Sequence, residues 1–313
     1  MIKLSVVVPV YNECESLEEL YGEIKKVFET LHETGEIIFV DDGSRDGSYD
    51  VLSRLREKDA QVRVIRFLTN YGKAAALRAG FDAAGGSYVV TMDADLQDDP
   101  AEIPALIEAL EDGLDMVSGW KKKRHDPLSK TIPSKLFNTA VRFFSGLSLH
   151  DFNCGLKAYR RDVVKTLTLY GELHRYIPVI AKFNGFRVGE IVVNHRPRKY
   201  GRSKYGSKRF ISGFLDLLTV ILLTRYTSKP LHFFGSVGLV FCFFGGIVNL
   251  YIVKLWIESG FRNIQGHQPL LVGGVFLFLL GIQFISTGLL AELITHSRME
   301  KAGTCRVDST PTP

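Results

Sequence analysis

Residues 87–100 read SYVVTMDADLQDDP, a short apolar run that turns acidic within one residue. Ser87 to Met92 is apolar, β-branched or aromatic at nearly every position, which predicts a strand covered on both faces rather than one alternating between core and solvent. The same kind of segment recurs upstream. Leu4 to Val8 and Glu36 to Val40 are continuous aliphatic or β-branched runs, and Val62 to Leu68 reads as a further strand. Helical stretches lie between them: Glu15 to His32, with Leu17, Leu20, Ile24, Val27, Phe28 and Leu31 at helical spacing, then Tyr49 to Lys58 and the Ala-rich Lys73 to Ala84. Alternating strands and helices of this type predict an α/β fold with a mainly parallel sheet. After Asp99 the pattern is mixed. A helix over Ile103 to Glu111 precedes a short strand, Met116 to Gly119, and an amphipathic segment, Lys130 to Phe144. Helices over Asp162 to Leu167 and Tyr176 to Phe183 and a strand over Arg187 to His195 complete the first two-thirds.

The last third is different. Phe233 to Val253 and Pro269 to Ala291 contain no Asp, Glu, Lys, Arg or His. As helices they would be about 31 and 34 Å long, enough to cross a hydrocarbon layer of about 30 Å. A buried helical hairpin is the alternative, but core helices seldom run so long without a charge. The expected organisation is a catalytic domain over 1–206, a juxtamembrane segment over 207–229, a two-helix anchor over 230–296 and a polar tail over 297–313. Lys208 to Thr224, with the Lys130 helix, reads either as an interfacial element or as an ordinary surface helix.

The formal net charge of +5 does not point to nucleic acid, because it is concentrated just before the first span. Nine Lys or Arg stand between Arg196 and Lys229 against the single acid Asp216. Such a stretch suits anionic membrane lipids and the cytoplasmic side of a membrane. Both ends of the anchor are therefore expected in the cytoplasm, and no cleaved secretory leader is expected. Cys14, Cys154, Cys242 and Cys305 have no metal-type spacing and read as free thiols in a reducing compartment.

Ligands of open α/β sheets gather at the carboxyl ends of the strands. Those ends carry Pro9-Val10-Tyr11-Asn12-Glu13, Asp41-Asp42-Gly43-Ser44 and Asp93-Ala94-Asp95. No GxGxxG follows the first strand and no GxxxxGK[ST] occurs, so the common backbone cradles for phosphate are missing. Asp93 and Asp95 offer another route: two carboxylates two residues apart can share a hard cation, Mg²⁺ or Mn²⁺, that also holds phosphate oxygens. Taken alone they could equally be a solvated turn with Asp as a helix cap. Asp41 and Asp42 at a neighbouring strand end argue against that, since crowded carboxylates are costly without a counter-cation.

The segments VVVPVYNE (Val6 to Glu13), VDDGSRDGS (Val40 to Ser48), NYGKAAALRAG (Asn70 to Gly80) and DADLQDDP (Asp93 to Pro100) resemble family 2 glycosyltransferases of GT-A fold. DFNCGLKAYRRD (Asp151 to Asp162), HRPRKYGRSKYG (His195 to Gly206) and the paired spans are similar to the polyprenyl-phosphate group, which includes dolichyl-phosphate mannose synthase and GtrB-like enzymes. The resemblance implies a nucleotide-sugar donor and a polyprenyl phosphate acceptor, with inversion at the anomeric carbon. It implies that Pro9, Tyr11, Glu13 and Asp42 line base and ribose, with Asp41 and Ala94 also on the donor side. Asp93 would touch the sugar-nucleotide, Asp95 would be the principal metal ligand, and Gln97 would help hold the metal or its waters. Arg202 and Lys204 would reach over the diphosphate and the acceptor phosphate, and Asp151 would orient the acceptor side. Lys73 reads either as a donor contact or as an exposed lysine at a helix start. The family's Arg after the strand near Gly119 is replaced by Trp120-Lys121-Lys122-Lys123-Arg124, leaving Lys121 or Arg124 for that role. His174-Arg175-Tyr176 faces sugar or acceptor, or is a surface patch. UDP is the expected nucleotide, with GDP as the alternative, and glucose the foremost sugar, with N-acetylglucosamine, galactose and mannose as alternatives. Similarity to GtrB-like enzymes suggests a tetramer in the inner membrane. A processive or protein-directed family 2 transferase, such as a polysaccharide synthase, is disfavoured, as no QxxRW-like segment occurs and two spans are few for a polymer channel. A non-catalytic assembly protein is disfavoured by the intact Asp42, Asp93, Asp95 and Arg202.

Overall fold

In a computed structural model of the chain, β1 (Leu4–Val10), β2 (Gly35–Asp41), β3 (Val62–Arg66), β4 (Tyr88–Thr91), β5 (Met116–Trp120), β6 (Lys157–Arg160) and β7 (Val188–Val192) form one sheet of order β3-β2-β1-β4-β6-β5-β7. The structure describes residues 3–122, 138–197 except 140, 144, 170 and 172, then 199–200, 230–259 and 265–302, with side chains of the last helix only to 295. The chain divides into two compact units, Met1–Val220 and Ile221–Pro313.

In the first unit β2 (Gly35–Asp41), β3 (Val62–Arg66) and β4 (Tyr88–Thr91) run parallel to β1 and its neighbours. β1 and β2 are buried almost throughout, as continuous apolar strands require. Beyond β4 the direction changes. β6 (Lys157–Arg160) is antiparallel to both β4 and β5 (Met116–Trp120), and β7 (Val188–Val192) is parallel to β5. β6 is absent from the sequence-based expectation, since KAYR has two cations in four residues and no apolar run.

Helix α1 (Leu17–Leu31) buries Leu17, Leu20, Ile24, Val27 and Phe28 and stops at His32, whose φ of 50° leaves the helical region. Ile24→Ala would cost about 2–5 kcal/mol through lost burial and the cavity left behind. α2 (Ser48–Lys58) and α3 (Lys73–Ala83) follow β2 and β3. α3 lies so close to β1 that a Cβ on Gly80 would come within 2.2 Å of Val7 Cγ1. That approach fixes Lys73, the first residue of α3, beside the ends of β1 and β4. α4 (Ile103–Glu111), α5 (Arg161–Thr166) and α6 (Ile177–Phe183) follow further along this unit. The Lys130 to Phe144 helix lies mostly outside the described residues, and the Lys208 to Thr224 helix entirely so.

The second unit is a helical hairpin, α7 (Pro230–Glu258) and α8 (Gln268–Ala302), and both helices are long and apolar enough to cross a membrane. They run antiparallel, because Gly238 meets Gly281 and Ile285 while Gly245 meets Gly274 and Phe278. A Cβ on Gly245 would lie 2.6 Å from Phe278 N, and one on Gly281 would lie 2.5 Å from Cys242 Sγ. Small residues thus bring the two backbones together. Most large apolar side chains, among them Leu239, Phe243, Phe276 and Leu290, are exposed. At one end Glu292 accepts the N–H of Leu231 at 3.1 Å, satisfying a first-turn donor of α7 that has no partner within its own helix.

Candidate active site

The strand order reverses between β1 and β4, and the acidic loops converge at the carboxyl ends of β1, β2 and β4, where open sheets bind ligands. Hydrogen bonds lace these loops together. Asn12 N donates to Ser44 Oγ at 2.9 Å, and Arg45 N to Asn12 Oδ1 at 2.8 Å. Ser16 Oγ donates to Ala94 O at 2.6 Å, tying the start of α1 to the turn after β4.

That turn holds four aspartates. Lys73 donates to Asp93 Oδ1, which removes the reading of Lys73 as merely exposed. Burial opposes ionisation of Asp93, but Lys73, helped by Lys121 and Lys157, holds its carboxyl down at about 2. Asp93 N donates to Asp98 Oδ2 at 3.2 Å, and Asp98, 1% exposed, pairs with Lys121 Nζ at 2.8 Å. Burial works against the Lys121 ammonium, yet the Asp98 charge raises its pKa above the ordinary lysine value. A Cβ on Gly155 would fall 2.6 Å from Asp98 Oδ2 and 2.7 Å from Asp93 Oδ2, so only glycine leaves room for the two carboxylates. Leu96 takes a φ of +61° and keeps its side chain in the core, a strained backbone of the kind found at functional loops. Asp95 is 8% exposed and accepts Gln97 N at 3.2 Å.

The remaining expected residues fall into three places. Pro9 lies near the end of β1 against the same cavity as Asp93, and Tyr11 is exposed just beyond it. Glu13 N donates to Ser48 Oγ at 3.0 Å. Asp41 is fully buried and accepts Ser44 N at 3.0 Å. Asp42 accepts Tyr71 N at 2.7 Å and Gly72 N at 2.9 Å, thereby shaping the turn that launches α3. Burial raises the pKa of Asp42 against those two hydrogen bonds, and neighbouring Asp41 adds to the rise. Asp151 is buried on the β5 side, where its Oδ1 accepts Asn153 N at 3.0 Å and its carbonyl accepts Ser118 Oγ at 3.3 Å. The preceding His150 stacks on Trp120 with centroids 4.0 Å apart, and its backbone N donates to Glu190 at 2.7 Å. Lys121 is turned inward onto Asp98. Arg124, Arg202 and Lys204 lie outside the described residues.

Three residues of the site, Asp98, His195 and Lys157, were not given a role from the sequence. Asp98 is the hub of the carboxylate turn. His195 reaches it through an isolated bridge to Asp98 and places Nε2 3.4 Å from Gln97 Nε2. Lys157, 4% exposed, donates to the Cys154 carbonyl, and burial lowers its pKa. Arg175, 5% exposed, is no surface patch, and burial followed by the charge of Lys73 holds its neighbour His174 well below the usual histidine range.

No group of three His, Cys, Asp or Glu side chains able to hold a metal occurs among the described residues. Mg²⁺ and Mn²⁺ can be bound through one or two carboxylates, with water and phosphate oxygens completing the shell. The donors at hand, Asp93, Asp95 and the Gln97 amide, are hard oxygens and therefore fit.

The sequence profile of Glycosyl transferase family 2 matches residues 5–168. A dodecaprenyl-phosphate galacturonate synthase of Rhizobium johnstonii is 38% identical over 302 residues, covering 95% of this chain and 88% of that protein. An undecaprenyl-phosphate 4-deoxy-4-formamido-L-arabinose transferase of Pseudomonas syringae pv. syringae is 36% identical over 292 residues, covering 93% of this chain and 85% of that one. Among solved structures, glucosyl-3-phosphoglycerate synthase of Mycobacterium tuberculosis with Mn²⁺ and UDP-glucose aligns with a TM-score of 0.55 at 19% identity. It covers 71% of this chain and 79% of that one, a likeness of fold.

Proposed function

The chain belongs to glycosyl transferase family 2, with a GT-A fold, and we propose that it transfers a sugar from a UDP-linked donor to a polyprenyl phosphate. One observation carries this reading: the Asp93–Asp95 turn at the sheet's switch point belongs to a chain that also carries two exposed apolar helices of membrane-spanning length. The relatives named for dodecaprenyl and undecaprenyl phosphate support a lipid acceptor. Their sugars differ, so they do not decide the sugar here; glucose rests on resemblance alone. The basic stretch between Arg196 and Lys229 favours an inner-membrane, multi-pass protein whose catalytic unit faces the cytoplasm.

Asp95, with Asp93 and Gln97, would hold Mg²⁺ or Mn²⁺. A cation there supplies positive charge to the departing nucleoside diphosphate. Lys73 fixes the Asp93 carboxylate, Asp42 holds the turn before α3 in place, and Pro9 and Tyr11 border the base side. Arg202 and Lys204 add charge at the phosphates, where it builds in the transition state. The attacking oxygen is that of a phosphate monoester with a second pKa of about 6, already ionised near neutral pH, so no strong base is needed. Asp151 orients the acceptor, and attack opposite the leaving group inverts the anomeric centre.

The test is a panel of radiolabelled nucleotide-sugars incubated with membranes containing the chain, with and without undecaprenyl phosphate. A chloroform-soluble, mild-acid-labile product that depends on the added lipid is expected. Label confined to polymer or protein would overturn the reading.

A further inference from the structure

The chain leaving β7 is fastened both to the carboxylate turn and to α1. His195 makes its bridge to Asp98, and Arg196 N donates to the carbonyl of Gln97 at 3.0 Å. The Arg196 guanidinium then lies between two carboxylates. Its Nε donates to Asp99 Oδ2 at 3.2 Å and its Nη2 lies 2.7 Å from Asp99 Oδ1, a two-pronged contact. Its Nη1 donates to both Glu23 oxygens at 2.8 Å. Partial burial works against the Arg196 charge, yet Glu23 and Asp99 raise its pKa above the ordinary arginine value. Further on, Lys199 Nζ lies 2.8 Å from Glu19 Oε2, and Tyr200 OH donates to the same oxygen at 3.5 Å. Tyr200 also packs against the core. Glu19 and Glu23 stand four apart on α1 and so share one face. Two of the cations counted toward the membrane surface, Arg196 and Lys199, are thus engaged by acids of the catalytic unit.

We infer that Arg196 is a positioning residue for the transfer: by joining the turn at Asp99 to α1 at Glu23, it sets where Arg202 and Lys204 stand over the phosphates. The inference rests on the proposed function, which gives those two cations their work. Chain length makes the anchor effective. At no more than about 3.6 Å per residue, Cα of Arg202 stays within about 7 Å of Cα of Tyr200, and that of Lys204 within about 14 Å. Without Arg196 the fastening to α1 falls to Lys199 and Tyr200 on Glu19, and an exposed pair such as Lys199–Glu19 is worth little. The planar guanidinium fork can engage two carboxylates at once, whereas an ammonium brings charge without that geometry. Asp95 and Gln97 belong to the same turn as Asp99. The residues proposed to hold the cation and those proposed to face the phosphates therefore share one frame.

The experiment is a mutant cycle on the full chain in detergent, using undecaprenyl phosphate and the nucleotide-sugar accepted in the panel above. Arg196→Met should lower kcat by about 10- to 10²-fold, the cost of a small misplacement, and change KM for the donor by less than about threefold. In a chain already carrying Arg202→Met and Lys204→Met, the same change should lower kcat by no more than about twofold, since it acts only through those cations. Arg196→Lys should restore only part of the loss. Thermal unfolding reports folding, and should Arg196→Met fail that check, Glu23→Ala, which removes one arm and keeps Asp99, carries the same cycle. An equal fold-loss in both backgrounds, a loss confined to KM, or full activity in Arg196→Lys overturns the inference and leaves the proposed function standing. So does an unaltered kcat in Arg196→Met, which would leave the residue a contact for lipid headgroups. Full turnover with Arg202→Met and Lys204→Met removes the role given to those cations, and this inference with it. A panel without a lipid-linked product removes the proposed function itself.

Discussion

Nζ of Lys121 lies 2.8 Å from Oδ1 of Asp98, whose other oxygen accepts the backbone N–H of Asp93 at 3.2 Å. A residue at the end of β5 therefore sets the shape of the turn after β4. Lys121→Met should leave a buried carboxylate uncompensated and cost about 3–5 kcal/mol. The double variant Lys121→Met with Asp98→Leu should recover much of the stability but little turnover, because Asp93 N–H loses its acceptor. Thermal unfolding and transfer assays on the full chain separate the two effects; a single variant as stable as the unaltered chain would contradict the pairing.

The Lys73–Asp93 pair makes a statement about pH. Asp93 ionises at about 2 in the folded chain against an ordinary 3.8. Its folded pKa is depressed, so the stabilisation is complete above the unfolded value and lost as pH falls through the folded one. Asp93 should contribute no acid limb to the transfer rate above about pH 5. Lys73→Met removes the cation that holds the carboxyl down, so the limb should move to higher pH, while Lys73→Arg should largely restore the original profile. Identical profiles for the unaltered and Met forms would count against the pair.

Asp95→Ala should reduce transfer by at least about 10²–10³-fold, the scale on which charge stabilisation of a leaving group is lost. EDTA should abolish turnover, and Mg²⁺ or Mn²⁺ should restore it. Binding of Mn²⁺ in the presence of UDP, followed by electron paramagnetic resonance, should disappear in the Ala variant. Full turnover in EDTA would sink the metal role.

In the helical hairpin, Gly245→Leu would drive a side chain into the backbone of Phe278, 2.6 Å from the first added carbon. A melting temperature lower by several degrees is expected, through overpacking of about 1–3 kcal/mol. Gly246→Ala is the control, since no atom of the described residues lies within 4 Å of its added carbon. Equal effects at the two positions would mean that the close approach of α7 and α8 is not what holds the hairpin together.

Much of this was legible in the sequence, for identifiable reasons. β1, β2 and β4 are buried on both faces and so read as uninterrupted apolar runs, and the acidic turns at their ends stood out against them. β6 was hidden because Lys157 points to the cavity and Arg160 reaches the carbonyl of Leu110 at 2.6 Å, so that cations stand where an apolar run would mark a strand. Asp93 and Asp95 were legible as a local spacing. Asp98 was not, because its role depends on Lys121, Gly155 and His195, which only the folded sheet brings near it. Of the glycines in the first span, Gly238 and Gly245 meet α8 within the same chain, whereas Gly246 meets none of the described residues.

Leu96 carries two demands that rarely coincide. Its backbone sits at a φ of +61°, where glycine or asparagine would be most comfortable, and its side chain is 3% exposed. Glycine relieves the backbone and empties the core beneath the turn; asparagine suits the backbone and brings an amide into an apolar site. Valine, isoleucine and threonine fill space but clash with the left-handed conformation. Only apolar side chains without a branch at Cβ, leucine and methionine foremost, answer both. Substitution at this position should therefore be confined to a very narrow set, and a library randomised at 96 should return little else in active clones.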